Sequence, residues 1–430
     1  MKKFFVFLLV ALSVITGVFA AGGKEANEPA KADTAKELVY LNSHGNVWDG
    51  EIGEEIFKAF YDKYGIRVRS VAYPFNQYME LVEVKMKSKD SDYDILNVDA
   101  PLVASYSIRN YLAPYEDFVD RAHIESSFTR AGVSAATYQG KIMTVPKRES
   151  GMVMVYNKDI LDRHGIPYPD KNGRMTWEEC KALAAQCVEK KNGSTVVWGL
   201  VPDQINRAWN VMPIANSNGA TWLSEDGFKA TGYLDSEKSI EAMKFYQSWF
   251  EEGIAPRGLN VNEVRELFDA GSCAFIFGDP VCYARAVQRG LNVGFCRVPA
   301  FENGTPAIGC DSWHIGINNY SKHKEEAALF IRFITEEEGA DMFLDSQSNL
   351  GCCKRRINEL IETTNPDTEV YSLLASELDY GVGRPKTPGF NEWADVVDNV
   401  IEDIRNGADV KKSLSDGAQK IDGLLKKYSR

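Results

Sequence analysis

What most constrains this chain is an alternation that begins at residue 38 and continues almost to the end. Leu38 to Leu41 is a short apolar run of strand length. From about Asp49, the apolar residues Ile52, Ile56 and Phe60 recur at the spacing of one helix face until Gly65 closes the run. Ile66 to Tyr73 reads as a second strand, a further helix follows, and Tyr93 to Val98 is a third strand. Parallel strands need a crossover between them, and helices supply it here. The fold class this implies is α/β, with mostly parallel sheet and helices on its faces.

The rhythm resumes with Ile142 to Pro146 and Met152 to Tyr156, two strands parted by the polar segment Lys147-Arg148-Glu149-Ser150. Thr176-Trp177-Glu178-Glu179 has the form of a capping box and starts a helix expected to reach about Lys190. Cys273 to Phe277, Val293 to Val298 and Trp313 to Ile317 read as strands, and helices are expected over about 321–335, 391–405 and 409–427. A chain of 430 residues exceeds what one hydrophobic core usually serves, so two lobes are expected. No clean linker separates them. That pattern predicts a chain that crosses between lobes more than once.

Lys2 and Lys3 precede an apolar run from Phe4 to Val18 that ends in Val18-Phe19-Ala20, the form of a cleavable signal peptide. Residues 21–36 are Ala, Gly, Lys, Glu, Asn and Pro with little to bury, a flexible leader. The first cysteine is Cys180, so no lipid-bearing cysteine stands at the cut. The expected location is periplasmic or secreted, without a tether. The formal charge of −12 becomes more negative once Lys2 and Lys3 are removed, which argues against nucleic-acid or anionic-membrane partners.

Eight cysteines in an exported chain allow either buried thiols or one or two disulfides, and spacing leaves both open. Cys180 and Cys187 share a helical face with Leu183 and Ala184, which is core patterning, and no C-x-x-C occurs. The five histidines are scattered, so no metal site is expected. H-E-x-x-H, G-x-S-x-G, P-loop and G-x-G-x-x-G signatures are all missing, and no cofactor is expected.

Several stretches carry a resemblance. Tyr156-Asn157-Lys158-Asp159-Ile160, then Gly165-Ile166-Pro167, then Thr176-Trp177-Glu178-Glu179 form the most specific block. Tyr93-Asp94-Ile95, Leu112-Ala113-Pro114, Gly278-Asp279-Pro280, Trp313 to Asn318 and Pro385-Lys386-Thr387-Pro388 add to it. Together they resemble the family 1 extracellular solute-binding proteins, the maltose-type sugar-binding components of ABC importers. The resemblance implies a two-lobed periplasmic-binding-protein fold of type II, with a ligand cleft between lobes and several hinge crossings. It implies a monomer that closes on a small solute and delivers it to a membrane permease, without catalysis. By position, residues 37–146 and 300–347 would form the first lobe, and 147–299 and 348–430 the second. Crossings are then expected near Val145 to Ser150, Val298 to Ala300 and Ser348 to Cys352.

A sugar offers hydroxyls for hydrogen bonds and a C–H face for aromatic rings, so its receptor needs carboxylates, amides or Arg beside Trp or Tyr. Such residues are expected on loops at the carboxyl ends of strands. The first loop supplies Asn42, His44, Trp48 and Asp49, although Trp48 could equally pack at a helix start and Asp49 cap it. Asp99 follows the third strand; Arg148 and Glu149 lie at the first crossing. Trp209, Asp279, Asp311, Trp313, Arg384 and Trp393 complete the expected ligand set. Two other readings stay open. The same fold could hold a polyamine, phosphate ester, peptide or iron chelate; or paired carboxylates such as Asp94 and Asp99 could serve an exported glycoside hydrolase.

Overall fold

A computed structural model describes residues 36–43, 45–148, 150–311, 313–347, 351–362 and 369–428. The signal peptide and all but the last residue of the leader lie outside the described residues. In chain order the strands are β1 Glu37–Asn42, β2 Arg67–Ala72, β3 Ile95–Asp99, β4 Leu112–Ala113, β5 Thr137–Tyr138 and β6 Lys141–Ile142. They continue with β7 Thr144–Arg148, β8 Val153–Asn157, β9 Glu189–Lys191, β10 Ser194–Pro202 and β11 Cys273–Gly278. The last are β12 Val293–Cys296, β13 Ile308–Gly309, β14 Trp313–Asn318 and β15 Gly381–Val382.

Two sheets organise the molecule. The first has the order β2-β1-β3-β14-β4, with β7 also on β14; the second runs β12-β8-β11-β10-β9. β1 pairs in parallel with β2 and β3, and β10 with β11, as the helical crossovers predict. Neither sheet is parallel throughout. β14 runs antiparallel to β3, β4 and β7, and β8 antiparallel to β11 and β12. The cause is the path of the chain: β14 and β8 each arrive from the other lobe, so they enter their sheet at the cleft edge, where neighbouring strands end.

Local signals explain the elements that hold these sheets. The helix Glu51–Tyr64 buries Ile56 and Phe60 and ends on Gly65, whose φ of 68° suits a residue without Cβ. Thr176 caps the helix Trp177–Gln186 by accepting from the Glu179 backbone N–H at 3.0 Å, while the Glu179 carboxylate accepts from the Thr176 N–H at 2.8 Å. That helix stops at Gln186, short of Lys190. Asn192 and Gly193 take φ of 53° and 83°, which reverse the chain between β9 and β10 into a hairpin. All eight cysteines are buried thiols.

The first lobe holds a core around Tyr40, Trp48, Phe60, Phe330 and Phe333. The helices Phe390–Arg405 and Val410–Leu425 bury Trp393, Val397, Leu414 and Ile421 in the same core as Trp249 and Phe277 of the second lobe. Cys352 and Cys353 join the first-lobe core, and Cys352 O accepts from Thr129 N at 3.2 Å. The third crossing therefore falls after Cys353 rather than within Ser348 to Cys352. The second is also later than expected, since Phe301 packs on Phe245 and Thr305 N donates to Ser217 O, both in the second lobe. The first lies past Arg148 and before Val153, because β7 stays paired with β14 through Arg148.

The crossings are tied to one another. Ser150 Oγ donates to Asp311 O, Cys310 N donates to Val382 O at 3.1 Å, and β13 pairs in parallel with β15. The helix Glu369–Glu377 packs on the first crossing so closely that a Cβ at Gly151 would lie 2.4 Å from Leu374 Cδ1.

The interlobe cleft as candidate binding site

Strand ends meet across a cleft of about 960 Å³. On the first lobe, register aligns three residues in a row: Trp313 of β14 stands opposite Asp99 of β3 on one side and Arg148 of β7 on the other. An acid, an aromatic ring and a guanidinium thus share one rim. On the second lobe, Asp203 follows β10 and Asp279 follows β11, and both line the cleft. A Cβ at Gly278 would come 2.5 Å from Asp203 Cβ, so glycine lets these two loops approach. Gln204, Arg207 and Trp209 come from the start of the helix Ala208–Ser217, and Phe390, Asp395 and Asp398 from the helix Phe390–Arg405.

Most charges in the cleft are already spent on each other. Arg384 donates through Nη1 and Nη2 to Asp99 at 3.0 and 2.6 Å, and through Nε to Asp311 at 2.5 Å. Burial works against the Arg384 charge, but the two carboxylates outweigh it and hold the guanidinium above its ordinary value. Burial pushes the Asp311 carboxyl up against the pull of Arg384. Arg265 grips Asp203 with two bonds of 2.8 Å, Arg285 holds Asp269 at 2.5 Å, and Arg207 reaches Asp398 at 2.6 Å. These pairs shape the wall and leave little capacity for a ligand.

Some polar groups keep capacity, among them Arg285 Nη2, which is buried at the cleft wall without a hydrogen-bond partner. Arg148 Nε is buried without a hydrogen-bond partner. The half-buried Asp279 accepts only from Val281 N, at 3.0 Å, among the described residues; burial raises its carboxyl and Arg148 opposes the rise. The Tyr371 hydroxyl, on the helix Glu369–Glu377, is buried and unpartnered, and the charges of both Asp279 and Arg148 act on it. Trp313 is the partly exposed ring in the lining.

Of the residues expected to meet ligand, the structure brings Asp99, Arg148, Trp209, Asp279, Asp311, Trp313 and Arg384 to one cleft. Four are placed elsewhere, which corrects the expectation for each. Asn42 ends β1 within the first-lobe sheet, is fully buried and donates to Ser70 Oγ at 3.0 Å. Trp48, 1% exposed, stacks between Phe57 and Phe343. Asp49 accepts from Ser70 at 2.5 Å beside a separate depression with Glu37 and Tyr61. Trp393 lies in the core of the second lobe against Phe390. His44 and Glu149 fall outside the described residues. Asp203, Arg207, Arg265, Arg285 and Asp398 also line the cleft and were not expected from sequence.

No group of metal-ligating side chains occurs among the described residues, and no described helix is long and apolar enough to cross a membrane.

Residues 45–341 match the family described as bacterial extracellular solute-binding protein. The galactooligosaccharide-binding protein of Bacillus subtilis is 21% identical over 439 residues, covering 99% of this chain and 98% of its own. The maltodextrin-binding protein of the same organism is 21% identical over 386 residues, covering 83% and 88%. Among solved structures, the ABC substrate-binding protein of Listeria monocytogenes in complex with cycloalternan superposes with a TM-score of 0.78 at 21% identity. That match covers 91% of this chain and 99% of the other, and shows a shared fold.

Proposed function

Because the chain belongs to the bacterial extracellular solute-binding protein family, we propose that it captures a sugar or oligosaccharide between its lobes and hands it to the permease of an ABC importer. It works outside the cytoplasm as a monomer and leaves its ligand chemically unchanged. The observation that carries this reading is the cleft itself: strand ends of both lobes converge on one polar space with aromatic residues in its wall. Trp313 offers a ring face for a C–H surface, while Arg148 and Asp279 offer a donor and an acceptor for hydroxyls. The cleft volume accommodates more than a single ring, and relatives named for galactooligosaccharides and maltodextrin agree with that size.

The test is a thermal-shift and tryptophan-fluorescence titration against maltose, maltotetraose, galactose, ribitol, spermidine and glycerol 3-phosphate. Binding of a carbohydrate or polyol is expected, with stability raised by about 2.7 kcal/mol at 100 times the dissociation constant. A response confined to spermidine or glycerol 3-phosphate would move the ligand class. Chromatography after long incubation should return the carbohydrate intact; glycosidic cleavage would overturn the binding-protein reading.

A further inference from the structure

We infer that the C-terminal turn of the chain is a strap: the Tyr428 hydroxyl joins the two lobes along the flank of the cleft and shifts the unliganded protein toward its closed form. Nothing in this depends on which solute the cleft holds, only on lobes that swing. Tyr428 ends the short turn Lys426–Tyr428, which follows the helix Val410–Leu425. Its ring is fixed in the second lobe. A Cβ at Gly389, the residue before the helix Phe390–Arg405, would lie 2.7 Å from Tyr428 Cε2 and 2.3 Å from Leu425 Cδ2. The ring is thus pressed against the point where the third crossing enters that lobe.

The hydroxyl faces both ways. It accepts from Arg109 Nη2 at 3.3 Å and donates to Glu392 Oε1 at 2.8 Å. Arg109 follows the first-lobe helix Leu102–Ile108, and its Nη1 donates at 2.5 Å to Glu83 of the helix Phe75–Lys87. Glu83 also accepts from the Tyr111 hydroxyl at 3.3 Å. Glu392 accepts from Lys427 at 2.5 Å. A neutral hydroxyl therefore stands between two ion pairs, one in each lobe. The helices that carry Glu83 and Glu392 also form opposite walls of the cleft: Met79 and Glu80 line it from one side, Asn391, Ala394 and Asp395 from the other. Glu83 is one turn on from Met79 and Glu80. Swinging the lobes apart carries one helix away from the other, and a hydrogen bond of 3.3 Å has no slack to follow. The strap belongs to the form with its walls together.

Its chemistry suits a device that must let go. When the lobes part, Arg109 keeps Glu83 and Lys427 keeps Glu392, so opening strands no charge and only exchanges a phenol contact for water. An arginine paired directly with a carboxylate of the other lobe would lose its partner at every opening. Neither Arg109 nor Tyr428 lines the cleft, yet both bear on affinity. A ligand that must touch both lobes binds the closed fraction, and its apparent affinity scales with that fraction.

The experiment is small-angle scattering of the full unliganded protein, parent against Tyr428→Phe, Arg109→Met and the double variant, with maltotetraose titrated calorimetrically into each. Urea unfolding of every variant is recorded alongside. The expected result is a larger radius of gyration in each single variant than in the parent, and maltotetraose affinity about 3- to 10-fold weaker. The double variant should lose no more than the weaker single one, because both substitutions break the same bond. Loss of packing alone would lower the urea midpoint and leave the folded radius as it was. An unchanged or smaller radius in either single variant, or affinity equal to or tighter than the parent's, overturns the strap and leaves the carbohydrate reading standing. If maltotetraose does not bind the parent, the scattering alone decides the strap, and the carbohydrate reading is judged by the titration against the wider set of solutes.

Discussion

At the scale of single residues, Lys147 is a charged side chain set deep inside the first lobe, 4% exposed. It ends up buried one residue before Arg148, with its ammonium over the rings of Tyr40, Trp48 and Phe343 and hydrogen bonds to Tyr40 and Asn97. No carboxylate pairs with it among the described residues. Burial, aided by the Arg148 charge, pushes its amine down to about 7. Between about pH 7 and the ordinary lysine value near 10.5, the unfolded chain therefore holds a proton that the folded chain has released. Stability should rise with pH across that window by up to about 1.4 kcal/mol per unit, and the cost should be fully present below it. Lys147→Met should be more stable than the parent at pH 6, with the advantage shrinking toward pH 10, as read by urea unfolding at both pH values. A constant difference would mean that the amine keeps its ordinary proton affinity.

At the scale of elements, the capping box at Thr176 lends itself to a clean prediction. Thr176→Ala removes the acceptor for the Glu179 N–H and should cost about 1 kcal/mol in denaturant unfolding, with ligand affinity within 2-fold of the parent. This box was legible because both of its partners lie within four residues. Strand ends were legible for the same reason: Asp99, Arg148 and Asp279 follow apolar runs that could only be strands, and all three line the cleft. The first loop misled, because the direction of Trp48 is fixed by Phe343, which no local spacing reports. β10 was missed although Asn192-Gly193 is a strong hairpin signal, and Asp203 and the arginine around it were missed with it.

At the scale of the whole molecule, Arg384 couples the lobes. It comes from the third crossing, yet its guanidinium is clamped by Asp99 of the first-lobe sheet and Asp311 of the second crossing. Arg384→Met would strand two buried carboxylates, so a loss of about 3–5 kcal/mol in urea unfolding at pH 7 is expected. Because burial already holds Asp311 above its ordinary value, part of that loss should return as the pH is lowered and protonation relieves the stranded carboxylate. A loss independent of pH would mean that packing, not charge, is what Arg384 supplies. The three crossings, bonded to one another through Ser150, Cys310 and Asp311, carry a further consequence. A door on a single pin can swing, tilt and twist; a door on several pins in line can only swing. Lobes joined this way have one soft coordinate, so the open protein samples a narrow path instead of a cloud of orientations. A ligand that stops the swing has little disorder left to remove, and more of its contact energy remains as affinity.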